Sequence, residues 1–555
     1  MISNVPMERS NLNTNPDYKV AILAAGRGTR LGSKTADINK ALLPLGFKAI
    51  LSHIVEKFPV EIELVVALGF KKEEIKNYLG LAHPERRFTF VEVDNYDGPG
   101  SGPGYSLLCC EKVLGDSPFI ITTVDTLVKE NVPPPTEDWL GIALVASTEK
   151  FNSVRLKNGL AVNMQDKKEC DNTHAFIGLC GIKNTELFWK NLKGDGALVN
   201  NELQLSNGLK ALVAQGVKGM EFTWFDTGDE VNFKKTWLAL YPDAEQAFDF
   251  SKKDEFIYFV NGKIVKYFRN PDIAAKRVKR AGLLAGFVPK IEGHQNLFYS
   301  YKRLDGNVLY ASVNDALVEK LLQWLHTSFW KKADLDDTQK TSFKEACRKF
   351  YYDKTLERIG LYFKSTGQKD EAFNVNGERV PSLESLVAKI PWQILLEGVP
   401  GRFHGDLQFD NILVTPDSPS GFVMIDWRQD FGGLTEYGDI YYDLAKLYGG
   451  ILLPYDLIKK GAFSCTVSGE NVELKVKTRL SLLSAEEIFK KTVSGLGYDM
   501  QKIRLLTSVI FLNMSPLHEA PFNVLLHHLG KRMLHQFFEG TDQKNWLDPM
   551  SEEIL

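Results

Sequence analysis

No uninterrupted apolar stretch in the 555 residues is long enough to cross a bilayer, so no membrane insertion is expected. The first residues, MISNVPMERSNLNTNPDYKV, lack the apolar core of a secretory signal, and a cytoplasmic location is expected. Cysteine is sparse. The 6 present (Cys109, Cys110, Cys170, Cys180, Cys347 and Cys465) include no CxxC pair, which argues against a zinc site or a disulfide frame. A net charge of -3 provides no basic field for nucleic acid. Internal repeats and low-complexity tracts are also missing, which excludes solenoids and disordered arrays. What remains is an ordinary globular composition on a chain too long for one core.

The polar residues 1–17 are expected to form a disordered tail. From Tyr18 a strand pattern (YKVAILAA) leads into a glycine-rich turn (GRGTRLG) and a helical segment (ILSHIVEKF). IELVVALG, FTFVEV and PFIITTVDTLV read as further buried strands, with KKEEIKNYL as a helix between the first two. This alternation predicts an α/β domain over 18–240, with a mostly parallel sheet and helices on both faces. The polar stretch 241–254 reads as a linker. Beyond it, EFIYFV and KIVKYF flank Asn261-Gly262, the strongest short hairpin signal because both turn positions need positive φ. IEGHQNLFYSYKRL and VLYASV read as two more strands, and the basic run KRVKR (276–280) as a solvated helix face. From Asn314 the pattern is helical, broken by a polar segment at 401–443, and 476–540 reads as amphipathic helix.

The first chemistry-bearing constellation is Ala24-Ala25-Gly26-Arg27-Gly28-Thr29-Arg30, directly after a buried strand. Glycines there let backbone N–H groups approach phosphate, and the arginines add charge beside it. Lys40 supplies another cation for a phosphate under attack. Asp125 ends an apolar strand where α/β folds place their ligands, and Asp226 offers a second carboxylate for magnesium. A dinucleotide-binding turn is disfavoured because the third glycine of GxGxxG is missing.

AAGRGTRLG with KALLPLG resembles the signature of the sugar-phosphate and phosphocholine nucleotidylyltransferases, over roughly residues 18–240. The resemblance implies a Rossmann-like fold with Ala24, Ala25, Gly26, Arg27, Gly28 and Thr29 around the triphosphate. It also implies catalytic cations at Arg30 and Lys40, metal-holding acids at Asp125 and Asp226, and a base-reading loop at Gly100, Ser101 and Gly102. The sequence departs from that family at Asn39, where proline is usual, and at Val124, where glycine is usual.

The second constellation is His404-Gly405-Asp406-Leu407-Gln408-Phe409-Asp410-Asn411, followed by FVMI, Asp426 and Trp427. A base for a hydroxyl, an amide oxygen and a carboxylate for magnesium are the parts phosphoryl transfer needs. The string resembles the aminoglycoside/choline kinase-family phosphotransferases, which implies a protein-kinase-like α+β domain with an N-lobe at 255–313 and a C-lobe at 314–545. By that likeness the catalytic loop spans 404–426, Asp406 is the base, Asn411 and Asp426 hold Mg²⁺, Lys266 contacts ATP phosphates, and Asp443 braces the loop. Neither a glycine-rich loop before Lys266 nor a glutamate in the following helix is present. His518, His527 and His528 lack ligand spacing and read as core or surface histidines.

Together the resemblances imply a bifunctional enzyme. One head phosphorylates a small alcohol, a sugar or choline-like headgroup, with ATP. The other couples that phosphate to an NTP, with CTP favoured, releasing pyrophosphate. Such products feed surface polysaccharide or headgroup synthesis in the related families. Trp427, Tyr437, Tyr441 and Tyr442 are candidates for a choline cage or, more simply, for packing around the loop. The partners expected are nucleotides and small alcohols or phosphates; the oligomeric state is open. The competing readings are a decayed regulatory or scaffold protein, or a chain with one active head.

Overall fold

The computed structural model describes residues 18–194, 196–242 and 254–550. The expected tail at 1–17 and most of the expected linker lie outside these residues. Two compact units are present, one comprising Met1–Pro242 with Phe256–Arg269, the other Asp243–Glu255 with Asn270–Leu555. The NG hairpin, expected to open the second domain at 255, thus groups almost wholly with the first unit. Asn261 (φ 49°) and Gly262 (φ 70°) take the positive φ values its turn demands.

A 9-stranded sheet organises the first unit. Its order is Phe88–Glu92, Leu64–Leu68, Lys19–Ala24, Phe119–Thr123, His174–Ile182, Trp139–Leu144, Val217–Glu221, Leu160–Gln165, Ser153–Lys157. The first four strands are parallel, as the alternation predicts, with Val20 opposite both Leu64 and Ile120. Beyond them His174–Ile182 runs antiparallel to both neighbours, and the sheet continues in mixed sense. The central strand carries Val20 to Ala24 buried without a break, because helices cover both faces. Removing each of its larger side chains from water contributes about 1.5–3 kcal/mol. That rigid strand ends at the glycine turn, so the turn's backbone is anchored on the core.

The hairpin packs on this unit through Tyr258, whose hydroxyl donates to the Leu42 carbonyl (2.6 Å), and through Phe259 stacked on Phe47 (4.9 Å). Lys266 lies on its second strand, Lys263–Phe268, and is buried.

The second unit is mainly helical. Met500–Met514 packs against Phe522–Glu539 and Ile440–Leu452. IEGHQNLFYSYKRL is not one strand but a hairpin, Ile291–Gln295 with Phe298–Lys302, because Asn296 turns the chain at φ 46°. Of VLYASV only Val308 is strand, in the two-residue strand Asn307–Val308, and the chain then winds into a 3₁₀ turn at Leu309–Ala311. A five-stranded sheet formed by Glu378–Val380, Phe373–Val375, Asn471–Arg479, Phe463–Ser468 and Leu547–Met550 was not expected. Its signal is the period-two alternation of NVELKVKTR, which buries Val472, Leu474, Val476 and Thr478. No described helix is long and apolar enough to cross a membrane.

Candidate active sites

In the first unit the strand Lys19–Ala24 releases the chain into a turn where Gly28 (φ 68°) starts a 3₁₀ segment, Thr29–Thr35. A methyl group on Gly28 would meet Lys40 Cβ at 2.9 Å, so glycine lets the turn lie directly over the lysine. Asn39 holds that lysine in place. Its amide donates to the Ala24 carbonyl (3.2 Å) and the Phe70 carbonyl (2.7 Å), and its oxygen accepts the Ala41 N–H (2.9 Å). The departure from proline is therefore a different way of fixing the same turn.

Lys40 Nζ lies 3.0 Å from Asp125 Oδ2, and Arg30 Nη2 lies 3.6 Å from the same oxygen. Burial works to raise the Asp125 carboxyl, but Lys40, the Thr123 hydroxyl and Arg30 together hold it well below the usual carboxylate range. Asp226 arrives beside it on a short antiparallel ladder, Trp224–Asp226 against Thr126–Val128, which sets Asp226 opposite Thr126. Burial pushes the Asp226 carboxyl up, outweighing the Gly228 N–H, and the Asp125 charge adds to the push. Asp226 accepts the Gly228 N–H (2.7 Å) and the Asn232 amide (2.7 Å). A methyl on Gly228 would come within 2.9 Å of Asp226 Oδ1 and 3.6 Å of both Asp125 Oδ2 and Arg30 Nη2, so all three converge there. Two adjacent carboxylates converging on one cleft fit a hard divalent cation whose shell substrate phosphates complete. Among the described residues no group of three or more His, Cys, Asp or Glu suits a metal.

A cleft of about 620 Å³ is lined by Ala25 to Arg30, Lys40, Ser101, Gly102, Asp125 and Asp226. Ala24 and Gly100 are not among its lining residues. Ala24 is buried at the strand end, and the Gly100 N–H donates to the Asn201 carbonyl (2.8 Å). The glycine loop is zipped to a second segment, with Leu203 N–H on the Ser101 carbonyl (2.7 Å) and Gly104 N–H on the Leu203 carbonyl (2.9 Å). A methyl on Gly102 would strike the Leu203 carbonyl at 2.7 Å. Asn201, Gln204, Asn232, Lys150 and Lys167 also line the cleft. Sequence reasoning missed them because Asn201, Gln204, Lys150 and Lys167 sit in irregular segments with no spacing rule, while Asn232, in the first turn of the helix Glu230–Leu240, carries no motif of its own.

In the second unit Asp443, on the helix Ile440–Leu452, accepts the backbone N–H of His404 and of Gly405, both at 2.7 Å, and Trp330 Nε1–H at 3.2 Å. It braces the loop by geometry. Burial pushes its carboxyl up to about 6 against those three donors. His404 Nε2 lies 2.9 Å from the Ile425 carbonyl and the Asp406 N–H points at Nδ1 (3.3 Å). That pattern assigns a neutral ring with the proton on Nε2, and burial agrees by pushing the imidazole down to about 4. Asp406 is paired with Lys446 (2.8 Å) and accepts the Gln408 amide (3.0 Å). Asn411 donates its amide to the Asp406 carbonyl (2.8 Å), which leaves its oxygen as the end available to a cation.

The basic helix Pro271–Leu283 corrects the expectation of a solvated face. Arg277 and Arg280 are buried. Arg277 pairs with Asp426 (2.5 Å) and Glu255 (3.3 Å). Arg280 donates to the carbonyls of Thr435 (3.1 Å), His404 (3.3 Å), Phe403 (2.5 Å) and Arg428, and stacks 3.9 Å over the Phe403 ring. Trp427 is fully buried and donates to the Arg277 carbonyl (2.8 Å), while Tyr441 and Tyr442 are buried in packing. These three serve packing rather than a choline cage, and the fourth candidate, Tyr437, is partly exposed.

The family model for MobA-like NTP transferase domains matches residues 20–132, and that for the phosphotransferase enzyme family matches residues 275–456. A probable glucose-1-phosphate cytidylyltransferase of Bacillus subtilis is 30% identical over 182 residues, 28% of this chain and 70% of that protein. The bifunctional protein GlmU of Methanococcus maripaludis is 26% identical over 215 residues, 37% of this chain and 50% of that protein. The chain thus spans about half the length of the GlmU relatives it matches. Among solved structures, a UDP-glucose pyrophosphorylase complexed with UDP-glucose aligns with a TM-score of 0.36 at 20% identity, covering 40% of this chain and 98% of that one. The chain is an enzyme that belongs to the sugar-phosphate nucleotidylyltransferases through its first unit, and its second unit carries the match to the phosphotransferase enzyme family.

Proposed function

We propose that the two units catalyse consecutive steps on one small alcohol, phosphorylation by ATP and then transfer of a nucleotidyl group to the new phosphate. The observation that carries this is the presence of both chemistries in one chain: Lys40 and Arg30 on Asp125 beside Asp226, and Asp406 on a loop braced by Asp443. In the second unit Asp406 takes the hydroxyl proton while the oxygen attacks the γ-phosphorus of ATP, and the bond to the β-bridging oxygen breaks to release ADP. In the first unit an oxygen of the resulting phosphate attacks the α-phosphorus of an NTP, and pyrophosphate leaves. Lys40 and Arg30 neutralise the charge that gathers on the α-phosphate. Asp125 with Asp226, and Asn411 with Asp426, would hold Mg²⁺, which screens converging phosphate charge when bound.

Ala24, Ala25, Gly26, Arg27, Gly28 and Thr29 form the proposed triphosphate cradle, and Gly100, Ser101 and Gly102 the base-reading loop. Lys266 is the proposed contact to ATP phosphates, on the kinase resemblance alone. CTP is the favoured nucleotide, because the relative at 30% identity is a probable cytidylyltransferase. The expected setting is synthesis of surface polysaccharide or headgroup precursors in the cytoplasm.

The test measures pyrophosphate release from each NTP with a panel of phosphates, and ADP formation with the parent alcohols. Asp406→Asn should abolish ADP formation and leave pyrophosphate release from supplied phosphate intact. Asp125→Ala should do the reverse, with a loss on the order of 10²–10³-fold. If no combination turns over in the unmodified chain, the decayed-enzyme reading wins.

A further inference from the structure

Around Asp406 the second unit gathers more positive charge than its own carboxylates neutralise. Lys354 opens the helix Lys354–Thr366, and Arg358 follows one turn later on the same face. Lys354 Nζ stands 4.2 Å from the centre of the Phe350 ring, and the Arg428 guanidinium stands 5.0 Å from it. Arg428 is fixed to the catalytic loop through its backbone: its N–H donates to the His404 carbonyl (3.0 Å) and its carbonyl accepts Arg280. A methyl on Gly405 would meet Arg428 Cβ at 2.7 Å, so the arginine lies against the residue preceding Asp406. Lys446, paired with the Asp406 carboxylate at 2.8 Å, adds a further positive charge felt by Lys354.

Among the described residues, Lys354, Arg358 and Arg428 have no carboxylate within ion-pairing distance. The Nε atoms of Arg358 and Arg428 are buried with no hydrogen-bond partner. Buried donors of this kind are costly unless something accepts from them. Burial first, and then the charges of Arg428, Arg358 and Lys446, push the Lys354 amine well below its ordinary value, and Asp406 only partly opposes them.

We propose that the alcohol phosphorylated at Asp406 carries an anionic group of its own, a carboxylate or a phosphate monoester, seated on Lys354, Arg358 and Arg428. The proposal rests on the kinase reading of this site and narrows its substrate class. Quaternary ammonium acceptors are the wrong sign for this surface. Of the aromatics that would cage one, Trp427, Tyr441 and Tyr442 are buried in packing, with Tyr441 already facing Lys502 at 4.5 Å. The other anion that fits three cations is the γ-phosphate of ATP, and the experiment separates the two.

ADP formation by the full-length chain is compared for glycerate, gluconate and glycerol phosphate against glycerol, glucose and choline. The anionic set should show kcat/KM at least about tenfold above the neutral and cationic set, the worth of one good charge-assisted contact. In Arg358→Gln and Lys354→Met the acceptor KM should rise roughly tenfold or more with KM for ATP unmoved, and Arg358→Lys should recover part of the loss. ADP formation with neutral or choline-like acceptors at equal efficiency leaves the kinase reading standing and overturns this proposal. A rise in KM for ATP instead of acceptor assigns the cluster to the γ-phosphate and overturns it too. No ADP with any alcohol removes the kinase reading and the proposal with it.

Discussion

Asn39 does with one side chain what proline does by ring closure in relatives of the nucleotidylyltransferase type. Its amide ties the Lys40 turn to the end of the central strand and to the Phe70 carbonyl, and its oxygen caps the next turn. The bonds to Ala24 and Ala41 are buried and the one to Phe70 is partly so, and truncation would remove the partner of two carbonyls and one N–H. Asn39→Ala should therefore destabilise the first unit by roughly 2–4 kcal/mol, from three hydrogen bonds at about 0.5–1.5 kcal/mol each. Pyrophosphate release should fall with it, because Lys40 loses its fixed approach to Asp125, while ADP formation stays unchanged. Thermal melting followed alongside both assays checks this, and an unaltered first transition would contradict it. The acids proposed to hold Mg²⁺ were legible in the sequence, since Asp125 follows an apolar strand. Their adjacency was not, because the ladder that sets Asp226 opposite Thr126 is only three residues long and carries no pattern.

The helix Pro271–Leu283 shows what spacing hides at the scale of an element. KRVKR is hydrophilic in composition, and a solvated face is the natural reading. Yet Arg277 and Arg280 are three apart, on one face, and that face is the one turned to the catalytic loop. Composition cannot tell a charge that meets water from one that meets backbone carbonyls. The loop itself was legible because its chemistry fixes its spacing, and the Asn261-Gly262 hairpin because its turn admits few residues. The loop also carries a pH signature. His404, pushed from 6.5 down to about 4, stays neutral in the fold, so the unfolded chain takes up its proton first and stability falls as pH drops from 6.5 towards 4. Asp443, pushed from 3.8 up to about 6, is protonated first in the fold, so its own contribution rises as pH drops through that window. The two oppose each other between pH 4 and 6. Asp443→Asn removes one side, and its second-unit melting should lose stability on acidification more steeply than the unmodified chain, by up to about 1.4 kcal/mol per pH unit. Parallel curves for the two proteins would show that Asp443 does not titrate in this range.

At the scale of the whole chain, each unit holds the acids and cations of the bond-making step proposed for it. Neither proposed transfer borrows an acid or base from the other, and the phosphate formed at Asp406 is the nucleophile needed at Lys40. A full-length chain carrying Asp406→Asn can therefore use only supplied phosphate, and one carrying Asp125→Ala can only make it. Mixed in equal amounts with the alcohol, ATP and CTP, the two variants should together form the nucleotide-linked product. Product should appear after a lag in which the phosphate accumulates, and the lag should lengthen as the mixture is diluted, because the intermediate crosses between molecules through solution. The unmodified chain at the same total concentration should show the same dependence. If the mixture forms no product while each variant retains its remaining activity, the two sites work only within one molecule, and the account of two independent reactions falls.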